Sequence, residues 1–417
     1  MVFRIIIIGG GIAGLAAAIA LRQNDREITI LEQSPINQEI GATISLQPNA
    51  SKIVEEQWSL ATKLKERGSM VDEAFEVYNL DGELQLRIPL MTKHKYGAER
   101  MMYHRADLHE VLKQRATSPA FPGRAATVRT SCRVVDCDCE KGAVALASGE
   151  VISADLIVGA DGIKSVVREF VLWEKVSARP TGLSAYRMMI SADDLEREAD
   201  VANVINPRRG CTTMVVGRDR RLIMGPARGG TIYSIVALVP DENMNEDSAR
   251  TSWTTKGDHD KMMRAFADFP DWAQKPLRLA KRSDLGLWQL RDLDPLQTWY
   301  RGRAILIGDA AHAMLPTQGQ GASQAIEDAE ALGAFFDEFE KTTSVNTPET
   351  VARVNEKIFR CRYERATTIQ LYSRQAAKPA IEPGTRKVNM NPAEFMEYNC
   401  SYNGALDWRR RQEGVSY

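Results

Sequence analysis

The chain of 417 residues has little of what marks secreted, metal-binding or nucleic-acid-binding proteins. Its six cysteines are too sparse for a disulfide framework. The C-x4-C-x-C spacing of Cys132, Cys137 and Cys139 fits no zinc pattern, so they read as reduced thiols. Five histidines (94, 104, 109, 259 and 312) share no ligand spacing on one face, and no metal is expected. Net charge is nearly absent: 54 Lys+Arg against 55 Asp+Glu leave −1, which excludes a field drawing the chain to nucleic acid or an anionic membrane. Long uncharged runs are absent too, apart from the 17 positions Ile5 to Leu21. Three consecutive glycines, Gly9 to Gly11, each costing about 1 kcal/mol inside a helix, break that run. It therefore reads as strand, turn and helix, neither a membrane span nor a signal segment. What remains is an ordinary globular composition, 44% hydrophobic and 26% charged, long enough for two or three domains. A cytoplasmic protein with a small-molecule partner is expected.

Phe3 to Ile8 is short and rich in β-branched residues, as a strand buried on both faces should be, and Leu15 to Arg22 has helical composition. Between them, Gly9-x-Gly11-x-x-Gly14 has the spacing of a dinucleotide-binding turn. One glycine makes the bend, one admits a pyrophosphate to the backbone, and one lets helix and strand pack closely. The phosphates would meet the helix N-terminus. A second strand, Glu27 to Leu31, ends at Glu32, whose carboxylate can accept hydrogen bonds from both ribose hydroxyls. An acid here disfavours a 2′-phosphate, which leaves FAD or NAD as the ligand.

Two later segments repeat the strand-then-turn arrangement: Leu156 to Val158 before Gly159-Ala160-Asp161-Gly162, and Ala304 to Ile307 before Gly308-Asp309 and a glycine-rich loop. With GxGxxG at 9–14, the acid at 32 and Arg105 in HRADLHEVL, they form five motifs in order along nearly the whole chain. In this order the sequence resembles the single-component FAD-dependent aromatic monooxygenases of the para-hydroxybenzoate and salicylate hydroxylase group. Its GDAAHAMLPTQGQGASQAIEDAEALGAFF run is especially similar to fungal biosynthetic members.

The resemblance implies an α/β fold: a Rossmann-like FAD-binding domain, an inserted antiparallel sheet on the substrate side, and a helical C-terminal region. It implies that Asp309 bonds the ribityl chain of FAD, that Arg105 touches FAD, and that Asp161 serves FAD and the nicotinamide. As a reading of the residues alone, Asp161 is equally a helix N-cap. Gly41 and Ala42 match the segment where the family's backbone meets the flavin. Pro316, Gly321 and Ala322 stand in a loop without bulky side chains, against which an isoalloxazine would lie. The helix beginning there can stabilise negative charge on reduced flavin. Only one GxGxxG exists, so NAD(P)H would bind transiently and leave, and O2 would form a C4a-hydroperoxyflavin that hydroxylates or epoxidises a phenolic, indole or polyketide ring.

Residues 176–285 contain strand-like runs and are expected to form the substrate domain, with help from a small β segment near 71–95. FAD-binding parts would be 1–175 and 286–340, and 341–417 the helical tail. Alternation in Ser184 to Ile190 puts Tyr186, Met188 and Ile190 on one face and Ala185, Arg187 and Met189 on the other. Arg187 matches an arginine that is catalytic in fungal relatives. Where several relatives carry a Tyr before the Pro of this sheet, this chain has Gly225; Tyr233 is the expected substitute, with Tyr186 as a second choice. A flavin-dependent halogenase would share the early motifs, but no two of the seven Trp stand two positions apart as W-x-W-x-I-P requires. A flavin-free carrier like the Rab GDP-dissociation inhibitors would lack a usable Gly308-Asp309 turn. A monomer or homodimer is expected.

Overall fold

The computed structural model describes residues 2–35, 42–241, 254–340, 347–377 and 388–414. β1 (Phe3–Ile8) forms as its isoleucine run predicts and lies inside a six-stranded sheet. β2 (Arg26–Leu31) and β8 (Thr127–Arg129) lie on one side of β1, and β12 (Leu156–Gly159), β20 (Ala304–Leu306) and β19 (Tyr300–Arg301) on the other. The order is β19-β20-β12-β1-β2-β8, parallel except for β19. Successive isoleucines of β1 enter different cores. Ile5 and Ile7 join the helices Ile12–Ala20, Arg105–Thr117 and Gly321–Glu340, while Ile6 and Ile8 join a cluster with Trp299 and Val167. A strand covered on both faces has no polar side to show, which is why its sequence does not alternate.

The first helix starts at Ile12 and ends at Ala20, earlier than the expected Leu15 to Arg22. Two of the three motif glycines are fixed by space. A Cβ on Gly9, whose φ is +105°, would stand 2.3 Å from the Ala160 carbonyl oxygen, and one on Gly14 would stand 2.0 Å from the Gly9 carbonyl oxygen.

The second large sheet has eight strands in the order β17-β18-β13-β16-β15-β14-β5-β6. They are β17 (Thr254–Lys256), β18 (Gly286–Asp292), β13 (Arg179–Ser191), β16 (Ile232–Pro240), β15 (Arg221–Ala227), β14 (Cys211–Val216), β5 (Ala74–Tyr78) and β6 (Leu84–Pro89). All neighbours are antiparallel except β14 and β5, which are parallel. The sheet thus takes in Gly286–Asp292, past the expected boundary at 285, and gains β5 and β6 from far upstream. β3 (Thr43–Leu46), β7 (Met101–His104) and β4 (Met70–Val71) form a small sheet in the order β3-β7-β4. A three-stranded sheet of β9 (Val134–Asp138), β10 (Ala143–Leu146) and β11 (Val151–Ser153) completes the β structure. The expected helical tail carries the helices Pro348–Ala376, Pro392–Cys400 and Ala405–Gln412. Among the described residues, no helix is long and apolar enough to cross a membrane.

Gly14→Ala tests the packing of the first turn. Helix propensity favours Ala by about 1 kcal/mol, but the overlap with backbone at Gly9 reverses the sign. A net loss of about 2 kcal/mol is expected in denaturant unfolding; an unchanged midpoint would contradict the close approach.

Candidate active site

The glycine turn is held by side chains from two sides. Glu32 accepts hydrogen bonds from Gly10 N through Oε2 (2.8 Å) and Ser34 N through Oε1 (2.7 Å). Nε2 of the buried His109 lies 2.7 Å from the Gly10 carbonyl oxygen. Gly9, Gly11 and Glu32 border a single cavity that runs past Asp161 and Asp309 to Pro316, Gly321 and Ala322, then beneath the eight-stranded sheet. Its volume is about 1990 Å³, roughly twice the upper end for a pocket holding one drug-sized ligand. A dinucleotide and a second molecule fit that measure. Gly14 instead serves the packing behind the turn. Ala42 and Arg105 border the same cavity, and Arg105 N donates to the Ala42 carbonyl oxygen at 2.7 Å. Gly41 lies outside the described residues.

Asp161 borders the cavity but uses its carboxylate on the chain itself. It accepts from Ser165 Oγ (2.5 Å), Val166 N (2.7 Å) and Val167 N (3.1 Å). Burial raises its pKa against those bonds. Its carboxylate thus meets the first amides of the helix Val167–Leu172 from outside, while the N-cap position itself is Val166.

Asp309 begins a short helical turn after Gly308, whose φ of +58° and ψ of −141° suit only glycine. A Cβ there would also press on Ala13 and Ala325. The turn is fixed from below by Asp328, a residue the sequence reading missed. Asp328 is buried; its Oδ2 accepts from Gly308 N (2.9 Å) and lies 2.6 Å from His312 Nε2, while Oδ1 accepts from Arg362 Nε (2.9 Å). Burial opposes its ionisation, yet the charges of His312 and Arg362 and the hydrogen bonds outweigh burial and hold its pKa at about 2. Glu327 beside it pairs with Arg362 and Arg365 and accepts from Asn49 Nδ2 (2.5 Å). A periodicity signal existed: Asp328 stands three residues after Ala325 and four before Leu332, on the helix face that these buried residues share. The loop above is tied as well, through Gln47 Nε2 to the Gln318 carbonyl (2.8 Å) and Thr317 Oγ1 to the Ser373 carbonyl (2.6 Å). The Asp309 carboxylate faces this space, 4.0 Å from where a Gly321 Cβ would be.

On the sheet side, alternation along β13 is as expected. Tyr186, Met188 and Ile190 are buried in one cluster, while Arg187 and Met189, with an edge of Met188, border the cavity. The Arg187 guanidinium lies over the Trp288 ring, 5.2 Å from its centroid, and its Nε is buried without a hydrogen-bond partner. Burial and then the charge of Arg105 lower its pKa. Trp288 can take this place because a Cβ on Gly286 would collide with its ring at 2.2 Å.

The tyrosine assignment needs correction. Tyr233 pairs with Ile190 in register, so it shares the face opposite Arg187 and is wholly buried there with Tyr186. It does not border the cavity, and burial raises its pKa, so it does not release a proton readily. Where the relatives' tyrosine is expected, Gly225 leaves room for Met102, whose Cε would lie 2.8 Å from a Cβ there. Met102 fills that space.

Residues 3–346 match the family model described as FAD binding domain. The hispidin-3-hydroxylase of Neonothopanus nambi is 34% identical over 373 residues, 86% of each chain. The FAD-dependent monooxygenase cfoG of Aspergillus candidus is 32% identical, covering 93% of this chain and 88% of its own. Among solved structures, a salicylate hydroxylase in complex with its substrate superposes with a TM-score of 0.77 at 28% identity, covering 98% of this chain and 97% of that one.

Asp309→Ala should weaken FAD retention about thirtyfold, the equivalent of about 2 kcal/mol of charge-assisted hydrogen bonding, in a fluorescence titration of the apoprotein. Asp328→Asn, which never reaches the cavity, should also weaken FAD binding by loosening the turn; wild-type affinity in both would dismiss this account. The ordered motifs, the size of the cavity and the full-length matches converge, and the chain belongs to the family of FAD-dependent monooxygenases that oxygenate aromatic rings.

Proposed function

We propose that this monooxygenase oxygenates an electron-rich ring bearing an ionisable group, a phenol, enol or carboxylate, in fungal-type secondary metabolism. The observation that carries the reading is Arg187, a guanidinium on the substrate face whose contact is an aromatic ring rather than a carboxylate. Desolvating a cation without a counter-charge is costly, and an anionic ligand would relieve that cost. Beside it stand Met189, Val236 and Leu290, apolar surface that excludes water from the reacting ring. Bound FAD, reduced by NAD(P)H, supplies the activated oxygen. The protein contributes position and charge. Arg187 holds the ionised group, and the helix N-terminus at Gly321 and Ala322, which border the cavity, would offer its first N–H groups to reduced flavin. Asp309 and Arg105 hold the cofactor in this reading. Tyr233 has no part in it, and Arg187 acts without a tyrosine partner.

The six cysteines are free and buried, which supports a reducing, cytoplasmic setting for a monomer or homodimer. Purified protein should be yellow and should oxidise NAD(P)H faster when a phenolic substrate is added. Protein that cannot take up FAD would overturn the reading. Arg187→Ala should keep FAD but lower coupled product at least about thirtyfold, with NAD(P)H diverted to peroxide. Tyr233→Phe should turn over like wild type. Product analysis by chromatography alongside NAD(P)H consumption checks both.

A further inference from the structure

The register of the eight-stranded sheet sets Arg187 at the head of an unbroken apolar row. Arg187 pairs with Val236, Val236 with Ile223, Ile223 with Met214, Met214 with Val77, and Val77 with Leu86. The row crosses five strand spacings, about 24 Å at about 4.8 Å each. Val236, Ile223 and Met214 border the cavity, and Leu86 at the far end is 51% exposed. Every residue of the row is at least partly accessible, whereas their neighbours on the other face, Met188, Ile235, Leu222 and Val215, are sealed in the core. At the Arg187 end the row is closed by the Trp288 ring. At the other end it runs out to β6, where Leu84, at 48% exposure, adds to the apolar surface. A contiguous apolar strip that the protein itself leaves half-covered marks a binding surface. A strip that starts at a guanidinium stacked on an aromatic ring takes a molecule with one charged, oxygenated end.

We propose that the substrate carries an extended apolar tail, which lies across the strands along Val236, Ile223, Met214 and Val77 while its ring is held at Arg187. This rests on the reading of Arg187 as the substrate cation. A monocyclic phenol would cover only the first part of the row. The tail's contribution to binding is non-directional and grows with its length until the row ends at Leu86. The strip thus selects for reach, and Arg187 for charge.

Resorcinols bearing a methyl, pentyl or undecyl chain at carbon 5 provide a ruler, with dissociation constants measured by calorimetry on the FAD-loaded protein. A fully buried methylene improves affinity at most about fourfold. At partial burial, the dissociation constant should fall at least about tenfold from methyl to pentyl and again from pentyl to undecyl. Val77→Asp should weaken the undecyl compound about tenfold and leave the methyl compound unchanged. Leu86→Asp, on the exposed edge strand where folding is not at risk, should weaken only the undecyl compound. Equal affinity along the series, no binding of any member, or insensitivity of the undecyl compound to both variants would overturn the proposal. So would self-association of the wild type that Leu86→Asp abolishes, because it would assign the edge to a second copy. A yellow protein that oxidises NAD(P)H but shows no dependence on chain length would lose the tail and keep the monooxygenase function.

Discussion

The flavin half of the molecule depends on one carboxylate that never touches the cavity. Asp328 holds the amide of Gly308, the ring of His312 and the guanidinium of Arg362, and so joins the turn after β20 to two long helices. Such a cluster adds little net stability, since removing charges from water offsets most of their attraction. Its effect is on geometry. A buried ionised carboxylate tolerates few alternative arrangements, because each partner lost leaves a charge uncompensated. Glu327 extends the constraint through Arg365 to the carbonyl groups of Tyr398 and Asn399 in the C-terminal helices. The helical end of the chain, to which composition assigned no chemistry, thereby braces the cofactor turn.

The substrate half works by contrast between two faces of one sheet. One face is closed by helices such as Asp271–Leu279, whose Trp272 and Leu277 pack into the core with Phe266 and Tyr233. The other is left short of cover and borders the cavity. Space at two glycines decides what stands there: Gly286 admits the Trp288 ring under Arg187, and Gly225 admits Met102.

How much of this was legible in the sequence follows the range of the interactions. The Gly9 to Gly14 turn, Glu32 and the Gly308-Asp309 turn depend on neighbours a few residues away, and their spacing carried the message. The face of Arg187 was legible because a strand alternates with period two. The face of Tyr233 was not, because alternation within β16 says nothing about which of its two sets lies opposite Ile190; register with β13 decides that. Asp328 was overlooked for a different reason. An acid within a helix is usually solvated, and its burial becomes visible only when a cation 34 residues downstream is brought to it. The β segment near 71–95 was legible, but its docking on β14 and the extension of the sheet by β18 rest on long-range pairing that no local pattern announces.

The parallel junction of β5 and β14 has a consequence for how the protein comes into being. Every other junction in that sheet is antiparallel, and several are made by short hairpins, but this one joins strands more than 130 residues apart, Ala74 to Cys211. The β5–β6 hairpin therefore has no neighbour on its β14 side until about half of the chain has been made. Contacts at such separation slow folding, since the intervening loop must be closed before the pairing returns any free energy. Neither half is a module that could be cut out and kept. The chain between the two strands includes the Asp161 turn of the nucleotide-binding half, so the two halves must mature together.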